Sequence, residues 1–266
     1  MALYFVERTY AIFTSQDLLH WELLQKFDMP GDDECPDLYP LTADDGRTLW
    51  VYSGAHDMYF VGDFDENGLY QPIQSVGQLS YNSQSYAAQT YYYEPGKPVI
   101  RFAWNRSDIP GAPFNGSMCT PTEMTLKKHG DRYYLSALPI KSTENLVVKS
   151  DKLDDFTLTH CTHELGSKTC RISFTVKEGD LTCNLYGLEM KLDKNGLTCG
   201  ESILPRLKNE PMKVDIITDT NSVEIYLNGV ANTVIAHVLD ETKPTFTIHA
   251  EDPVEVQNLT VSELSL

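Results

Sequence analysis

The chain has 266 residues, of which 41% are hydrophobic and 22% charged, as expected for one large all-β domain or two ordinary globular domains. Its formal net charge of -17, from 38 acidic against 21 basic residues, repels phosphate backbones and anionic lipids, so we expect neither nucleic acid nor a membrane as partner. The six cysteines form no C-x-x-C pair, which predicts free thiols, no metal site and no cofactor.

The chain begins with an apolar stretch that does not have the pattern of a secretory signal. It reads MALYFVERTYAIF, without a basic segment, and Glu7 and Arg8 interrupt the apolar run. No run of about eighteen apolar residues follows anywhere, so we expect no transmembrane helix. These observations predict a cytoplasmic location.

Short β-strands separated by turn residues fill the first half of the chain. Asp44-Asp45-Gly46 and Glu66-Asn67-Gly68 are turn sequences, and the segment SQDLLHW (15–21) forms at most one helical turn. Strands this short and this closely spaced favour a β-propeller or a sandwich. The predicted strands are Tyr10–Thr14, Thr48–Ser53, Met58–Phe64, Ala87–Tyr93, Val99–Trp104 and Tyr133–Leu138.

The second half has a different pattern. Residues 172–176 and 223–227 alternate apolar with polar side chains, and Asn228-Gly229 follows the second run as a hairpin turn. Such alternation is typical of antiparallel sheets stacked in a sandwich. The change of pattern predicts two domains, 1–140 and 141–266.

Seven segments, in chain order, resemble conserved blocks of glycoside hydrolase family 32, which contains invertases, inulinases and levanases. The second segment is similar to the Glu-Cys-Pro-Asp motif of that family, and the third to its Gly-Asp-Phe-Asp turn. The segments are SQDLLHWE (15–22), ECPDLYPL (34–41), YFVGDFD (59–65), SYAAQTYY (85–92), IRFAW (100–104), residues 116–140 and DTNSVEIYLNGV (219–230).

The resemblance implies a five-bladed β-propeller followed by an antiparallel β-sandwich. It also implies retaining hydrolysis of terminal fructose from sucrose or a fructan, with a fructose-containing oligo- or polysaccharide as partner. Glu34 takes the position of the general acid/base of the family, and Trp104 that of a tryptophan lining the fructose subsite. Substrate-binding positions are further implied for Cys35, Asp37, Tyr86 and Gln89, although Tyr86 and Gln89 could equally serve blade packing, and an orienting or turn role is favoured for Asp37.

The chemistry of a retaining glycosidase is consistent with a role for Glu34. Such an enzyme needs two carboxyl groups about 5–5.5 Å apart, one of which protonates the leaving oxygen while the other attacks the anomeric carbon. The acid works best with a raised pKa, which predicts a partly dry pocket. Cys35-Pro36 would supply a rigid apolar flank, and Asp33 and Asp37 would add like charge.

Two motifs of the family are missing from the sequence. The Asn-Asp-Pro segment that carries the nucleophile and the Arg-Asp-Pro segment that carries the transition-state stabiliser do not occur, and the only Asp-Pro pair is Asp252-Pro253. The alignment places Met1 at an internal methionine of a family strand. The resemblance therefore implies an incomplete propeller made of the later blades only, whose exposed edge predicts self-association.

Several other residues have competing interpretations. Asp63 and Asp65 could be catalytic, sharing one face of a strand, but the turn that follows favours a structural loop. His160 and His163 fit no standard zinc spacing, and Tyr91–Tyr93 could be a sugar platform or a strand rich in tyrosine. For the whole chain, the alternative to an enzyme is a non-catalytic fructan-binding protein, with contacts from Trp104 or the sandwich, or a truncated fragment that needs a partner.

Overall fold

The computed structural model describes residues 2–6 (backbone), 9–82, 84–91, 94, 96–109, 111, 113–237, 239–240, 242 and 244–265. Met1, Tyr92 and Tyr93 lie outside these residues. The end of the predicted strand 87–93 and two of the three tyrosines of the candidate sugar platform are therefore not described. The chain divides into two compact units, one formed by residues 1–105 with 118–138 and the other by 106–117 with 139–266. In the part of the chain that is described, no helix is long and apolar enough to cross a membrane.

The first sheet of the first unit has three antiparallel strands, β1 (Ala2–Val6), β2 (Thr9–Thr14) and β3 (Glu22–Phe27), in that order. The segment between β2 and β3 is a bent loop without a helical turn. Asp17 fixes the loop, because its Oδ1 accepts hydrogen bonds from the backbone N–H groups of Leu19 and His20 at 2.9 and 2.8 Å.

The second and third sheets of this unit each contain a four-stranded antiparallel meander, the unit from which propeller blades are built. The second runs β4-β5-β6-β7, with β8 on β6, and the third runs β9-β10-β12-β13, with β11 on β10. Their strands are β4 (Asp37–Thr42), β5 (Thr48–Ser53), β6 (Met58–Phe64), β7 (Tyr70–Pro72), β8 (Gly77–Gln78), β9 (Ser85–Thr90), β10 (Val99–Asn105), β11 (Ser117–Met118), β12 (Thr122–His129) and β13 (Arg132–Pro139).

Two apolar clusters hold the three sheets together. Side chains of β4–β6 pack against those of β10, β12 and β13, and the central ones, such as Leu49, Val51 and Val61, have no exposed surface. An aromatic cluster joins β2 and β3 to the second sheet, where the rings of Phe27 and Tyr52 meet edge to face at 4.7 Å. Full burial of one such side chain contributes about 1.5–3 kcal/mol, so these clusters supply most of the drive for sheet packing.

A buried ion pair also connects the second sheet to the third. Arg101 on β10 donates from Nε to Asp57 Oδ1 at 2.8 Å and from Nη2 to Asp57 Oδ2, and Nη2 also reaches Ser85 Oγ on β9 at 2.9 Å. Both charged side chains are almost fully buried, with exposed fractions of 5% and 4%. One guanidinium therefore holds the β5–β6 turn against the start of β9.

From residue 139 onward, the described part of the second unit consists of a 3-10 helix (Lys141–Leu146) followed by eleven strands. The last strand is twenty residues long and pairs with β15 and β17 through its first half and with β14 and β16 through its second half. The strands are β14 (Val147–Lys152), β15 (Phe156–Glu164), β16 (Cys170–Val176), β17 (Leu181–Leu185), β18 (Leu188–Asp193), β19 (Gly196–Cys199), β20 (Ser202–Pro205), β21 (Met212–Asp219), β22 (Ser222–Leu227), β23 (Ala231–Ala236) and β24 (Thr245–Leu264).

Strand β24 thus belongs to two layers of the second unit. One layer runs β20-β19-β18-β17-β24-β15, and the other runs β14-β24-β16-β21-β22-β23. The rings of Phe174 on β16 and Phe246 on the first half of β24 lie 5.9 Å apart, so the two layers pack face to face. The hairpin predicted at Asn228-Gly229 is present, and both residues have the positive φ that a type I′ turn needs.

The alternation of residues 223–227 indicated one apolar and one polar face, but both faces of β22 are buried. Glu224 and Tyr226 are 8% and 3% exposed, and the Tyr226 hydroxyl donates to Glu224 Oε2 at 2.6 Å. The neighbouring Asp215 accepts from Arg171 Nη2 at 2.6 Å. These side chains are buried on an inner strand because each has a hydrogen-bonding partner, which offsets the cost of losing water.

The buried ion pair of the first unit gives a stability prediction. Asp57→Asn keeps the side-chain shape and tolerates the positive φ of this position, 60°, but leaves the Arg101 charge without its carboxylate. We expect a loss of about 3–5 kcal/mol in unfolding free energy, measured from urea titrations.

The matched control for this variant is the exposed pair Lys128–Asp45, whose side chains are 42% and 29% accessible. Lys128→Ala should cost less than about 1 kcal/mol, since exposed ion pairs contribute little. Equal losses in the two variants would contradict the role assigned to the Arg101–Asp57 pair.

Candidate functional site

Glu34 lies in the loop between β3 and β4, and its backbone is fixed by two hydrogen bonds. The carbonyl oxygen of Glu34 accepts from the Tyr10 hydroxyl at 2.7 Å and from the Ala55 backbone N–H at 2.9 Å. Cys35 follows with φ of 48°, a left-handed conformation that non-glycine residues seldom adopt. With this turn at Cys35, the Glu34 carboxylate contacts Tyr86 near the start of β9.

Tyr86 contacts the Glu34 carboxylate, and two further aromatic rings contact Tyr86. The Tyr86 hydroxyl donates to Glu34 Oε2, and the Tyr86 ring lies edge-on to His56 with centroids 4.8 Å apart. Trp104 is opposite Tyr86 in the β9–β10 pairing, next to a bulge, with ring centroids 6.5 Å apart. Trp104 is 42% exposed, so an acid, a phenol and an indole share one open surface.

A buried aspartate supports this surface from behind. Asp32 Oδ2 accepts from the His56 backbone N–H at 2.7 Å, and Asp32 Oδ1 lies 3.3 Å from His56 Nδ1. Gly54 makes this approach possible, because a Cβ there would collide with the Tyr10 hydroxyl and the Asp32 carboxylate. Substitution of Gly54 would therefore displace both supports of the Glu34 loop.

The remaining predicted site residues make bonds within the protein. Gln89 Nε2 donates to the Cys35 carbonyl at 2.9 Å, and Asp37 Oδ2 accepts from the Thr90 backbone N–H at 2.6 Å. Burial raises the pKa of the Asp37 carboxyl above its usual value, and burial, with the nearby Glu34 charge, raises that of the Cys35 thiol. Cys35, Asp37 and Gln89 thus join the Glu34 loop and β4 to β9.

One expectation for the site differs from the structure. The chemistry of the acid predicts a partly dry pocket around Glu34, but the Glu34 side chain is exposed.

The structural loop favoured for Asp63 and Asp65 is present at Asp65, since β6 ends at Phe64. Asp65 Oδ1 accepts from the N–H groups of Asn67 and Leu69, both at 2.9 Å.

The histidine tract and the Asp-Pro pair lie in the second unit. His163 Nε2 is 3.6 Å from Asp151, and His160 stacks edge-on with His249 at 6.3 Å. Among the described residues, no three His, Cys, Asp or Glu side chains cluster in a way that could hold a metal ion. Asp252-Pro253 lies within β24 and is exposed.

The sequence analysis missed Tyr10, Asp32 and His56. Their contacts join residues 24 positions apart in the chain, from three separate loops and strands. The one local signal was Asp32 in GDDECP, an acidic residue directly before the Glu34 motif, but nothing in the sequence indicates that it is only 7% exposed.

Residues 6–137 match the sequence profile of the glycosyl hydrolases family 32 N-terminal domain. This segment contains Glu34 and the whole aromatic surface beside it. The chain belongs to glycoside hydrolase family 32. The predicted resemblance to this family is therefore confirmed.

Curated relatives agree with the family. The chain is 28% identical over 162 residues to a fructan beta-fructosidase of Streptococcus mutans, an alignment that covers 51% of this chain and 11% of that protein. It is 26% identical over 202 residues to levanbiose-producing levanases of Bacillus subtilis and Geobacillus stearothermophilus, which covers 67% of this chain and 38% and 49% of those proteins. The chain thus spans half or less of the length of each of these relatives.

Solved family 32 structures have the same fold. The exo-inulinase of Aspergillus awamori superposes with a TM-score of 0.76 at 18% identity, over 97% of this chain and 62% of that one. The beta-fructofuranosidase of Schwanniomyces occidentalis, solved with fructosyl-erythritol, gives 0.76 at 20% identity, over 98% and 66%. The prediction of an all-β fold with a propeller-like part is confirmed.

The raised pKa of Asp37 predicts a pH dependence of stability. Because the native carboxyl binds its proton more readily than the unfolded one, its stabilising contribution is complete below the ordinary pKa, about 3.9, and is lost as pH rises through the native value. Relative to Asp37→Asn, the unmodified chain should therefore lose stability between acidic and neutral pH, measured as urea midpoints across a pH series.

Asp65→Asn is a control for which the expected change of stability with pH has the opposite sign. Hydrogen bonds from the backbone, first that of Leu69, lower the pKa of Asp65. Relative to this variant the unmodified chain should gain stability as pH rises over the acidic range. The same slope for both variants would contradict the environment described for Asp37.

Proposed function

We propose that the chain carries the acid/base half of a retaining β-fructosidase site, which releases terminal fructose from sucrose or a fructan. The observation that carries the proposal is the contact between the Tyr86 hydroxyl and the Glu34 carboxylate, beside the exposed Trp104 ring, within the segment that matches family 32. The similar proteins are named for fructan, levan and inulin, and all three substrates are chains of fructose units.

The arrangement supports two proton transfers by Glu34. Protonated Glu34 gives its proton to the glycosidic oxygen as the bond to the anomeric carbon breaks, and the resulting carboxylate later removes a proton from the attacking water. Tyr86 donates to Oε2 and so leaves Oε1 of Glu34 available to the substrate. The Tyr10 hydroxyl and the Ala55 backbone N–H both donate to the Glu34 carbonyl oxygen and so restrict the positions that the Glu34 carboxylate can reach.

Trp104 and Tyr86 provide the sugar-binding part of the proposal. An exposed indole can pack against the C–H groups of a sugar ring and remove apolar surface from water. Cys35, Asp37 and Gln89 contribute indirectly, since their hydrogen bonds fix the loop and strand on which Glu34 and Tyr86 stand.

The sequence contains neither the Asn-Asp-Pro nor the Arg-Asp-Pro motif, so none of the family motifs found in it supplies the nucleophile. A second carboxylate has to stand about 5–5.5 Å from Glu34 for retaining hydrolysis. We propose that a polypeptide segment carrying the two missing motifs completes the site.

A non-catalytic fructan-binding protein is the second candidate. The exposed Trp104 surface favours it, and so does the absence of the nucleophile motif. Calorimetry and a fructose assay with inulin or levan oligosaccharides, in the presence of a polypeptide that carries the two missing motifs, distinguish the two. Heat of binding without fructose release in that mixture supports the second candidate, and fructose release supports the first.

The catalytic proposal is tested by Glu34→Gln in a mixture with a polypeptide that carries the Asn-Asp-Pro and Arg-Asp-Pro segments. Glutamine keeps the shape but neither gives nor takes the proton, so fructose release should fall by about 10²–10⁴-fold. Asp63→Asn, on the exposed face of β6, is the control and should keep full release. Unchanged release with Glu34→Gln would refute the assignment.

We also propose that the chain self-associates through the exposed edge of its incomplete propeller, and that the loop between β2 and β3 of the first sheet contributes to this contact. Leu18 and Leu19 are 73% and 81% exposed on a loop that Asp17 holds in place, so little entropy is lost when they dock. The unmodified chain should form dimers or larger species at micromolar concentration in light scattering, and Leu18→Ser/Leu19→Ser should shift it toward monomer. A monodisperse unmodified monomer would overturn this proposal.

A further inference from the structure

A large polar cleft lies at one end of the second unit, and no part of the proposed fructosidase site uses it. It has a volume of about 970 Å³ and is lined by the β16–β17 turn (177–180), the β18–β19 turn (194–195), the β20–β21 loop (206–211) and Glu255 of β24. Clefts of this volume commonly hold small-molecule ligands.

The cleft walls are connected by one arginine. Arg206 donates from Nε to the Glu210 carbonyl at 2.9 Å and from Nη2 to the Lys177 carbonyl at 2.8 Å, and its backbone N–H reaches the Asn195 carbonyl at 2.8 Å. These bonds fix the three lining segments relative to one another. A ligand would therefore meet a preformed site and would not have to order the loops.

The charges in the cleft differ from those of the whole chain. Its lining holds four cations, Lys177, Lys194, Arg206 and Lys208, and four carboxylates, Glu178, Asp180, Glu210 and Glu255. The chain as a whole has a net charge of -17. The lining is thus formally neutral within a strongly acidic protein.

This balance indicates the chemical class of the ligand. An anion such as phosphate would face four carboxylates, and a metal ion would face four cations, so neither gains net attraction. A neutral polyol suits the lining because each hydroxyl both donates and accepts, and the cleft offers donors, acceptors and the amides of Asn195 and Asn209. The described lining has no aromatic ring, so recognition would rest on hydrogen bonds.

A second cleft continues the polar surface. It has a volume of about 630 Å³ and shares Gly179 and Asp180 with the first, so that the two lie on either side of the β16–β17 turn. Its polar residues include Thr182, Lys191 and His249, and its carboxylates are those of Asp180, Asp193, Glu251 and Asp252. The continuation across the turn favours a chain of several sugar units over a single sugar.

We propose that the Arg206 cleft is a second carbohydrate site, which binds the chain of a fructan separately from the Glu34–Trp104 surface. The choice of a fructan rests on the proposed function, whereas the choice of a neutral polyol rests on the cleft alone. Two sites on one polymer raise the effective affinity, since binding at one holds the chain near the other.

The test is calorimetry of the full chain with 1-kestose and with a longer inulin oligosaccharide, in a Trp104→Ala background that disables the first surface. Lys194→Ala/Lys208→Ala removes two donors from the cleft rim and should weaken binding of the inulin oligosaccharide at least about tenfold. Lys141→Ala/Lys152→Ala, two exposed lysines of the same unit outside the lining, is the matched control and should bind as the background does.

A second pair of variants tests the class of ligand. Glu178→Gln/Asp180→Asn neutralises two exposed carboxylates of the lining. Because charged hydrogen-bond acceptors are lost, this double variant should bind the inulin oligosaccharide more weakly. If the cleft is instead an anion site, these variants should tighten binding of inorganic phosphate and leave the sugar unaffected, which would overturn the proposal.

The outcomes separate this inference from the proposed function. If Trp104→Ala abolishes all binding and the cleft variants in an otherwise unmodified chain bind normally, the cleft proposal fails and the Glu34 site stands. If binding survives Trp104→Ala and is lost in the cleft variants, the cleft proposal holds whatever the result of the Glu34→Gln experiment. No binding by any form at millimolar oligosaccharide would overturn the cleft proposal, and fructose release would still test Glu34.

Discussion

The candidate site depends on one buried ion pair. Arg101 holds Asp57 and Ser85 together, and the neighbours of these two residues in the chain, His56 and Tyr86, are the two rings that meet at 4.8 Å. An ion pair with both partners buried is sensitive to position, because a small displacement leaves a charge without its counterion in a dry environment. The pair thus fixes where the Tyr86 hydroxyl can reach the Glu34 carboxylate.

The Glu34 loop is positioned by residues of the first and second sheets. Tyr10 comes from β2, and the buried Asp32 is held by the His56 backbone, so the first two sheets both position the loop through polar contacts. Burial raises the pKa of the Tyr10 phenol, which keeps its hydroxyl protonated as a donor to the Glu34 carbonyl. The result is an exposed carboxylate on a rigid backbone, which is the arrangement that catalytic and binding groups require.

The second unit is organised around one long strand, β24. Its two layers share β24, so a single strand sets the register of both and brings Phe174 onto Phe246. The turns at the end of these layers are joined by Arg206, which donates to the carbonyl oxygens of Glu210 and Lys177. The Arg206 cleft has equal numbers of cations and carboxylates in a strongly acidic chain, and this balance is the reason for proposing a neutral, hydroxyl-rich ligand.

The sequence by itself determined most of the β-strands and the family, and it identified Glu34 as the candidate acid/base. Strands β5 and β6 have the predicted bounds, because their apolar runs end at Gly- and Asp-containing turns whose conformations are local, and the Asn228-Gly229 hairpin follows from the same chemistry. Only the tertiary structure decided what surrounds Glu34 and which polar residues are buried. Asp32 and His56, and likewise Asp57 and Arg101, are paired across 24 and 44 positions, and the two faces of β22 are both covered. Such contacts form only when the sheets pack, because packing brings together residues that are far apart in the sequence and removes them from water. A local sequence pattern contains no information on which distant residues these are.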